Sequence, residues 1–492
     1  MGMATMDDII RKGLLAVLGF SVVFFGAVHA WAYTCVQIFL LCLAVLFVLA
    51  RIPAWHRSER GEISWIVTPV NLAAFVFLAV VVVQIIPLPG GLVKVISPNT
   101  AAVIDMSEGV VMGSVSTARF TLYRYATVRS LMMVLAILYF YFLFLYSIRG
   151  RSQLKASVKA VLYLGLAVCI YGLFEKLSGH GHILWWRHHM QARGFRVFGT
   201  FINPDHFAFF LNLILCLLFG HLYALMGRRE RNRYHRARGL FRSFMENEPG
   251  THEIVFLSFC FCVMVVTLIM TGSRAAIFSL ALSMCVIFIL LFVKTRKKSL
   301  FLFIGFLLLI VLVYGQRIGV EKTIDRFGAL SKEGLLEQER MVHNRAVFPI
   351  IKEYPVLGTG LGTFEHVYPR YQPAQARGYR RELHNDWLQL MVETGIVGFL
   401  TVFVGFIALM KGFVTLWWKR RDPFAVGIGI GCIGALVAAA IHSLFDFSLH
   451  IPASALTLAA VTAIGFLALH SKSHRHRTPF SYRVKKWKRV SW

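Results

Sequence analysis

The sequence predicts an all-α fold, a polytopic transmembrane helical bundle of about 12 helices with one large loop on the non-cytoplasmic side. Hydrophobic residues make up 57% of the 492 positions, whereas soluble domains use roughly 45–50%. The mean hydropathy is +0.65, and many apolar runs approach the roughly 20 residues that a helix needs to cross a bilayer. Lys and Arg recur in alternate connections between these runs, as expected of a chain that crosses a membrane repeatedly.

The apolar runs divide the chain into spans and connections. Nine spans are expected in residues 1–316 and three more in residues 387–470. Residues 317–386 form the large loop, which is expected to contain short helices, and residues 471–492 form a basic tail. The twelve predicted spans cover residues 9–30, 33–50, 65–86, 127–147, 156–175, 204–226, 254–272, 275–293, 299–316, 387–410, 424–441 and 453–470.

The formal net charge of +28 is unevenly distributed, and its distribution predicts the topology. By the positive-inside rule, connections rich in Lys and Arg belong to the cytoplasm, which places both termini there. Such clusters could be nucleic-acid patches, but juxtamembrane basic clusters also attract anionic lipid head groups, so the expected partner is the bilayer and not nucleic acid. The basic connections are residues 51–60, 149–155, 228–242, 294–298, 417–421 and the tail after Ser471.

The connections assigned to the opposite face contain the polar clusters that could carry chemistry. They are residues 87–126, 176–203, the turn near Ser273, the loop 317–386 and the segment 442–450. From Arg317 to Asp386 the loop has eleven Lys and Arg against nine Asp and Glu. A basic surplus on the face normally depleted of positive charge indicates an anionic substrate, although solvated surface charge accounts for most such residues.

The segment from Gly358 to Gly362 reads GTGLG, which could suggest a nucleotide-binding loop. It follows Pro355 and a stretch of helix-forming composition from Glu333 to Tyr354, not a buried strand, and it lies on the face away from cytosolic nucleotides. A turn is the better interpretation, and no cofactor is expected.

Three arginines on the non-cytoplasmic face could bind an anion. Arg274 stands in TGSRAA between two apolar runs, where the beginning of a helix presents free backbone N–H groups. Arg340 and Arg345 lie five residues apart in ERMVHNRAVF. A guanidinium fork suits phosphate, but an arginine at a membrane boundary can equally be an interfacial residue that extends towards lipid head groups.

His384 is the best candidate for a general base. An unperturbed imidazole titrates near about pH 6.5, so it needs little tuning to accept a proton at neutral pH. Asn385 and Asp386 could orient the imidazole or an acceptor hydroxyl. Glu393 lies nine residues farther along the same predicted helix, nearly opposite His384 around the axis, and is expected to be a packing or hydrogen-bonding partner. A histidine at the mouth of a helix is otherwise an ordinary interfacial residue.

Two further polar segments meet the same face. GTFINPDHFAFFL contains Asn203 and His206, and HSLFDFSLHIP contains His442, Asp446 and His450 at spacings of four. That spacing is a helix-face metal geometry in principle. A reentrant or capping turn is an equal alternative, and no metal is expected.

Five segments together resemble the O-antigen ligase and polymerase family of polytopic membrane glycosyltransferases. They are GTFINPDHFA, TGSRAA, ERMVHNRAVFPIIKEYPVLGTGLGTF, HNDWLQLMVETGIVGF and HSLFDFSLHIP. Their order, with a large loop before the histidine motif, is similar to that family over residues 200–450. The resemblance implies a fold of about twelve helices in the bacterial inner membrane with an active site at the periplasmic face.

By this resemblance Arg274 and Arg340 hold the pyrophosphate of a polyprenyl (undecaprenyl) carrier, and His384 activates the acceptor hydroxyl. The family's loop arginine is usually followed four residues later by tryptophan, where this chain has Asn344, so Arg345 is an alternative counterpart. Arg340 is preferred from its distance to Pro355. Displacement at the anomeric carbon of the glycan would then require no metal or nucleotide and would invert that centre.

The sequence leaves the acceptor open. A carrier-linked glycan as acceptor defines a polymerase in O-antigen or exopolysaccharide assembly, a lipid A core defines a ligase in lipopolysaccharide assembly, and a protein hydroxyl is a third case. GTFINPDHFA and DFSLHIP resemble polymerase-type relatives, which favours the polymerase. A secondary transporter of an anionic or lipid-linked substrate would have ionisable residues near the bilayer midplane and often repeated halves, whereas here most of them cluster at one face and no repeat is evident.

Overall fold

The computed structural model describes residues 3–57, 65–66, 68–108, 117–179, 182–184, 187–188, 196–231, 250–296, 334–374, 379–471 and 484–485. In these ranges the chain is mainly helical. The helices are α1 (Met3–Val23), α2 (Ala30–Arg57), α3 (Pro69–Ile85), α4 (Gly90–Ile96), α5 (Pro98–Glu108), α6 (Arg124–Ser147), α7 (Arg151–Ser178), α8 (Pro204–Arg231), α9 (Thr251–Met270), α10 (Arg274–Thr295), α11 (Gly334–Ala346), α12 (Phe348–Glu353), α13 (Phe364–Val367), α14 (Asp386–Lys419), α15 (Pro423–His442) and α16 (Pro452–His470).

Short irregular elements connect these helices. The 3-10 helices are Phe25–Ala27, Tyr368–Arg370 and Ser448–His450. The strands are β1 (Trp65–Ile66), β2 (Leu88–Pro89), β3 (Thr117–Ala118), β4 (His182–Ile183), β5 (Arg187–His188) and β6 (Val484–Lys485). They form three antiparallel pairs, β1 with β6, β2 with β3 and β4 with β5.

Within the described residues, nine helices are long and apolar enough to cross a membrane, namely α2, α6 to α10, α14, α15 and α16. The chain is therefore an all-α polytopic membrane protein, as predicted. Helix α3 is apolar but has only 17 residues, which is at the short limit for a span. The predicted span 299–316 lies outside the described residues.

The first helix differs from the predicted span 9–30, because α1 begins at Met3 and ends at Val23. Its charged first turns are part of the helix because their charges are paired within the protein. The buried Asp7 carboxylate contacts Arg51 at 2.9 Å and Arg149 at 2.5 Å, and Asp8 contacts Arg11 at 2.6 Å.

Helices α8, α15 and α16 form the centre of the bundle, and most of their apolar residues are buried inside the protein. Helices α8 and α15 approach closely. A Cβ atom built on Gly220 would lie 2.3 Å from the carbonyl oxygen of Gly427, and a Cβ atom built on Gly427 would lie 2.3 Å from the carbonyl oxygen of Gly220. Small residues that let two backbones approach are the usual basis of helix packing in membranes.

Helix α14 is broken near its beginning, which the sequence did not predict. The predicted span was 387–410, whereas the helix covers 34 residues with a non-helical Gly395 (φ 62°, ψ −167°). The break lets the backbone N–H of Ile396 donate to the carbonyl of Pro355 at 2.8 Å, and the carbonyl of Glu393 accept from the N–H of Gly360 at 2.9 Å. The glycine-rich turn of the large loop is thus attached directly to α14.

The connections that charge assigned to the non-cytoplasmic face meet at one end of the bundle. The side chain of Asn99 donates to the carbonyl of Glu353 at 2.8 Å, which joins the 87–126 connection to the large loop. Arg196 Nε donates to the carbonyl of Thr271 at 2.6 Å, which joins the 176–203 connection to the turn before Ser273. The polar segments therefore converge on a common region.

The basic connections meet at the other end. Arg151 pairs with Asp422 at 2.6 Å, and the ammonium group of Lys294 donates to the carbonyl oxygen of Arg420 at 2.9 Å. These contacts join residues 149–155 and 294–298 to the connection after α14.

Candidate active site

The imidazole of His384 pairs with a buried carboxylate at the end of the bundle where the polar segments converge. His384 precedes α14, and its Nδ1 lies 3.0 Å from Oδ1 of Asp446, which belongs to the turn after α15. An ionised carboxylate only accepts hydrogen bonds, so His384 Nδ1 carries the proton and donates it. Nε2 is then the ring nitrogen that can accept a proton.

The surroundings of Asp446 keep its carboxylate ionised. Burial alone would raise the pKa of Asp446, but hydrogen bonding from His384 and the nearby His206 and His442 outweigh it and hold this pKa well below its usual range. The hydroxyl of Ser448 donates to Oδ2 at 2.8 Å. A buried, ionised carboxylate can both fix the imidazole tautomer and stabilise the imidazolium that forms on proton uptake.

Two buried histidines lie beside the carboxylate of Asp446. Nε2 of His206 on α8 lies 3.5 Å from Asp446 Oδ2, and Nε2 of His442 lies 3.8 Å from the same oxygen. The second distance is too long for a hydrogen bond, so the influence of His442 is electrostatic. The ring of Phe447 packs edge-on against both His206 and His384, with centroid distances of 4.7 Å and 5.0 Å.

Asp386 and Asn385 do not orient His384. The carboxylate of Asp386 contacts Nδ1 of His450 at 2.8 Å and accepts from the hydroxyl of Ser443 at 2.9 Å. The side chain of Asn385 accepts from the N–H of Leu388 at 3.1 Å and caps α14. The residue that orients His384 is Asp446, because the turn 443–450 folds back onto the beginning of α14.

The spacing of His442, Asp446 and His450 does not form one helical face. Helix α15 ends at His442, and the residues after it form a turn followed by a 3-10 helix. The turn interpretation is therefore confirmed and the helix-face interpretation is wrong. Among the described residues, no group of three or more His, Cys, Asp or Glu side chains is arranged to hold a metal ion.

Glu393 is a hydrogen-bonding residue of the interior. Its buried carboxylate accepts from the backbone N–H of Gly362 at 2.8 Å and of Phe364 at 3.3 Å, and from the amide of Gln389 at 3.1 Å. Gln389 also accepts from the N–H of Leu383 at 2.8 Å and donates to Glu382. The pair connects the glycine-rich turn to the residues before His384, which holds the loop in register with α14.

A pocket opens beside His384, between α11 and the end of the large loop. Its empty volume is about 230 Å³, including space open to solvent. Arg340 contributes to its wall, whereas the exposed Arg345 is not a lining residue. The lining residues are Arg340, His343, Asn344, Phe364, Arg380, Glu382, Leu383 and His384.

A chain of hydrogen bonds holds one of the pocket's two arginines. Arg380 Nε donates to His343 Nε2 at 3.3 Å, so His343 carries its proton on Nδ1, which contacts the hydroxyl of Tyr368. Burial raises the pKa of Tyr368 to about 12, so that hydroxyl is neutral at physiological pH. The pocket thus has a positioned guanidinium that the sequence did not single out.

Arg274 and Asn203 lie at helix beginnings on the same side of the bundle. Arg274 is the first residue of α10, which Ser273 caps by accepting from the N–H of Ala276 at 3.4 Å. One turn later, Phe278 packs edge-on against Phe445, next to Asp446, with a centroid distance of 6.1 Å. Asn203 accepts from the N–H of Asp205 at 2.9 Å and shapes the turn before α8.

The sequence did not identify His343, Arg380 or Glu382 as site residues. Each was one of several polar residues in a basic loop, and only the fold selects those that face the pocket. A local signal existed for Glu382, because it stands two residues before His384 in RRELHND. For the other two no local pattern distinguishes a pocket residue from a solvated one.

Comparison with known proteins identifies a family segment around this site. The family model described as O-antigen ligase matches residues 259–403, under a third of the chain, and that segment contains Arg274, Arg340 and His384. The resemblance predicted from the motifs is confirmed. A search among curated proteins gave no match.

Proposed function

We propose that this chain, whose residues 259–403 match the O-antigen ligase family model, is a membrane glycosyltransferase that moves a glycan from a polyprenyl pyrophosphate carrier to an acceptor hydroxyl. The observation that carries the proposal is the His384–Asp446 pair at a pocket that Arg340 shares. A base with a buried carboxylate partner at a pocket lined by guanidinium groups suits displacement of an anionic leaving group by a hydroxyl.

The reaction is a single displacement. His384 Nε2 removes the proton of the acceptor hydroxyl, and that oxygen bonds to the anomeric carbon. The bond from this carbon to the pyrophosphate oxygen breaks, and the electron pair leaves with the carrier pyrophosphate. Arg340 and Arg274 neutralise the charge that develops there, and the proton on His384 is then released to water.

This mechanism predicts the stereochemistry of the product and whether the reaction requires a metal ion. Attack opposite the leaving pyrophosphate inverts the anomeric centre, and the leaving group is stabilised by guanidinium groups without a metal ion. We further propose a carrier-linked glycan as acceptor, and hence a polymerase, because GTFINPDHFA and DFSLHIP resemble polymerase-type relatives.

The test is transfer by the purified full-length protein in liposomes that contain an undecaprenyl pyrophosphate-linked oligosaccharide, with or without a lipid A core. Mass spectrometry of the products should show a ladder of longer oligosaccharides without the core, and EDTA should leave the rate unchanged. NMR should show an inverted linkage. Transfer only when the core is present would replace the polymerase by a ligase, and no transfer to either acceptor would overturn the proposal.

We propose that the site faces the periplasm and that both termini are cytoplasmic in the bacterial inner membrane. The support is the distribution of Lys and Arg, which are concentrated in the connections at the opposite end of the bundle. A periplasm-active reporter fused after Trp492 should give no signal, whereas one inserted at the exposed residue Tyr379 should be active. The reverse pattern would contradict this orientation.

A further inference from the structure

The pocket beside His384 has two chemically different parts. Arg340 and Arg380 supply guanidinium groups, which only donate hydrogen bonds. Asn344 and Glu382 supply amide and carboxylate oxygens, which accept them. A ligand that has an anionic region and, next to it, a region with O–H or N–H donors would satisfy both parts.

The side-chain oxygen of Asn344 is an acceptor that such a donor would satisfy. Its Oδ1 is buried and has no hydrogen-bond partner in the part of the chain that the structure describes. Buried side-chain polar atoms in native proteins nearly always have a partner, so an exception at a ligand pocket indicates that the ligand supplies it. The pyrophosphate of the donor is ionised at neutral pH, so its oxygens, including those bound by arginine, have no proton to donate to Asn344 Oδ1.

The position of Asn344 relative to Arg340 selects the part of the donor that it meets. The two residues are four apart on α11 and both line the pocket, and residues with this spacing lie side by side on one helix face with about 5–6 Å between their Cβ atoms. If Arg340 contacts the pyrophosphate, the group one turn away is the sugar joined directly to it. Hydroxyl and acetamido groups of that sugar are the donors that an amide oxygen accepts.

We infer that Asn344 is a specificity-determining residue, whose Oδ1 accepts a hydrogen bond from a hydroxyl or amide N–H of the first sugar of the carrier-linked donor. The inference rests on the proposed function, since it takes Arg340 as the pyrophosphate contact. Glu382 lies in the same part of the pocket, where Gln389 holds its carboxylate. The residue that selects the sugar and the residue that removes the proton would thus line the same pocket.

The experiment compares Asn344→Leu, which keeps the side-chain size but removes the acceptor, with the wild-type protein in liposomes. The probes are an undecaprenyl pyrophosphate-linked oligosaccharide and a set of analogues in which the first sugar lacks one hydroxyl or the acetamido N–H. Loss of one neutral hydrogen bond should lower kcat/KM for the full donor by about 3- to 10-fold, mainly through KM. Met341→Leu, at an exposed position of the same helix, is the control.

The decisive result is a double comparison. One analogue should cost the wild-type protein the same factor that Asn344→Leu costs, and should cost the variant nothing further. The inference would be overturned if every analogue lowered kcat/KM of the variant by the same factor as in the wild-type protein, or if Asn344→Leu changed only KM for the acceptor. If Arg340→Lys still abolished transfer in that case, the proposed function would stand. If Arg340→Lys also left transfer intact, the proposed function would fail as well. Should Asn344→Leu not fold, Asn344→Ala, which also lacks an acceptor, gives the same comparison with the same analogues.

Discussion

Nδ1 of His384 lies 3.0 Å from Oδ1 of Asp446, although 62 residues separate the two in the chain. The contact exists because Asp386 binds the turn after α15 on two sides, donating its backbone N–H to the carbonyl of Ser443 at 2.9 Å and accepting from the Ser443 hydroxyl at 2.9 Å. The beginning of α14 and the end of α15 are thus fixed to each other, and the imidazole acquires its partner through that junction.

Replacing Asp446 by Asn should lower glycan transfer by on the order of 10²–10⁴. The amide preserves the shape of the turn but removes the charge that fixes the His384 tautomer and stabilises imidazolium. Transfer rates in liposomes measure the effect. The control is Asp422→Asn at the opposite end of the bundle, where Asn can still cap α15, and this variant should transfer normally. Equal rates for the two variants would remove Asp446 from the reaction.

Arg340→Lys should reduce transfer severely, whereas Arg345→Lys should not. Lysine keeps the charge but loses the planar fork that binds two phosphate oxygens. Arg345 is the matched control because it lies on the same helix but is exposed outside the pocket. The measurement is kcat/KM for the carrier-linked donor. A larger loss in Arg345→Lys than in Arg340→Lys would show that the wrong arginine has been chosen.

Gly395→Ala should destabilise the protein, because the break in α14 requires glycine. At φ 62° and ψ −167° a side chain is strained by about 1–3 kcal/mol, and a Cβ there would lie 2.3 Å from the carbonyl oxygen of Val356. Gly412→Ala, in the same helix with only an ordinary 3.6 Å contact to Pro69, should be neutral or stabilising. Thermal unfolding in detergent distinguishes the two, and equal Tm values would contradict the break.

The stability contributed by His450 should depend on pH. Burial opposes protonation of this imidazole, but Glu382 and Asp386 outweigh burial and raise the pKa of His450 to about 10. A raised pKa means that the contribution is complete below the unfolded value of about 6.5 and is lost as pH rises towards about 10. The Tm difference between the wild-type protein and His450→Gln should therefore shrink between these limits. A difference independent of pH over that range would argue against a charged pair.

The fold class and the grouping of polar segments at one face followed from hydrophobicity and charge, because both are set by the solvent around each segment. Hydrophobicity and charge did not predict which residues contact one another within the site. Asn385 and Asp386 are next to His384 in the chain, yet the orienting carboxylate is Asp446, and its selection depends on where α15 ends. The break at Gly395 was also missed, since it follows from contacts with Val356 and not from the local pattern.

Whether His384 is the general base is tested most directly by measuring turnover and donor binding together for His384→Ala in liposomes. Transfer should fall by on the order of 10²–10⁴ with donor binding unchanged, because the arginines of the pocket remain. His470→Ala, a histidine at the far end of α16, should behave like the wild-type protein. Full turnover in His384→Ala would contradict the base assignment, and loss of donor binding would move His384 to the pyrophosphate site instead.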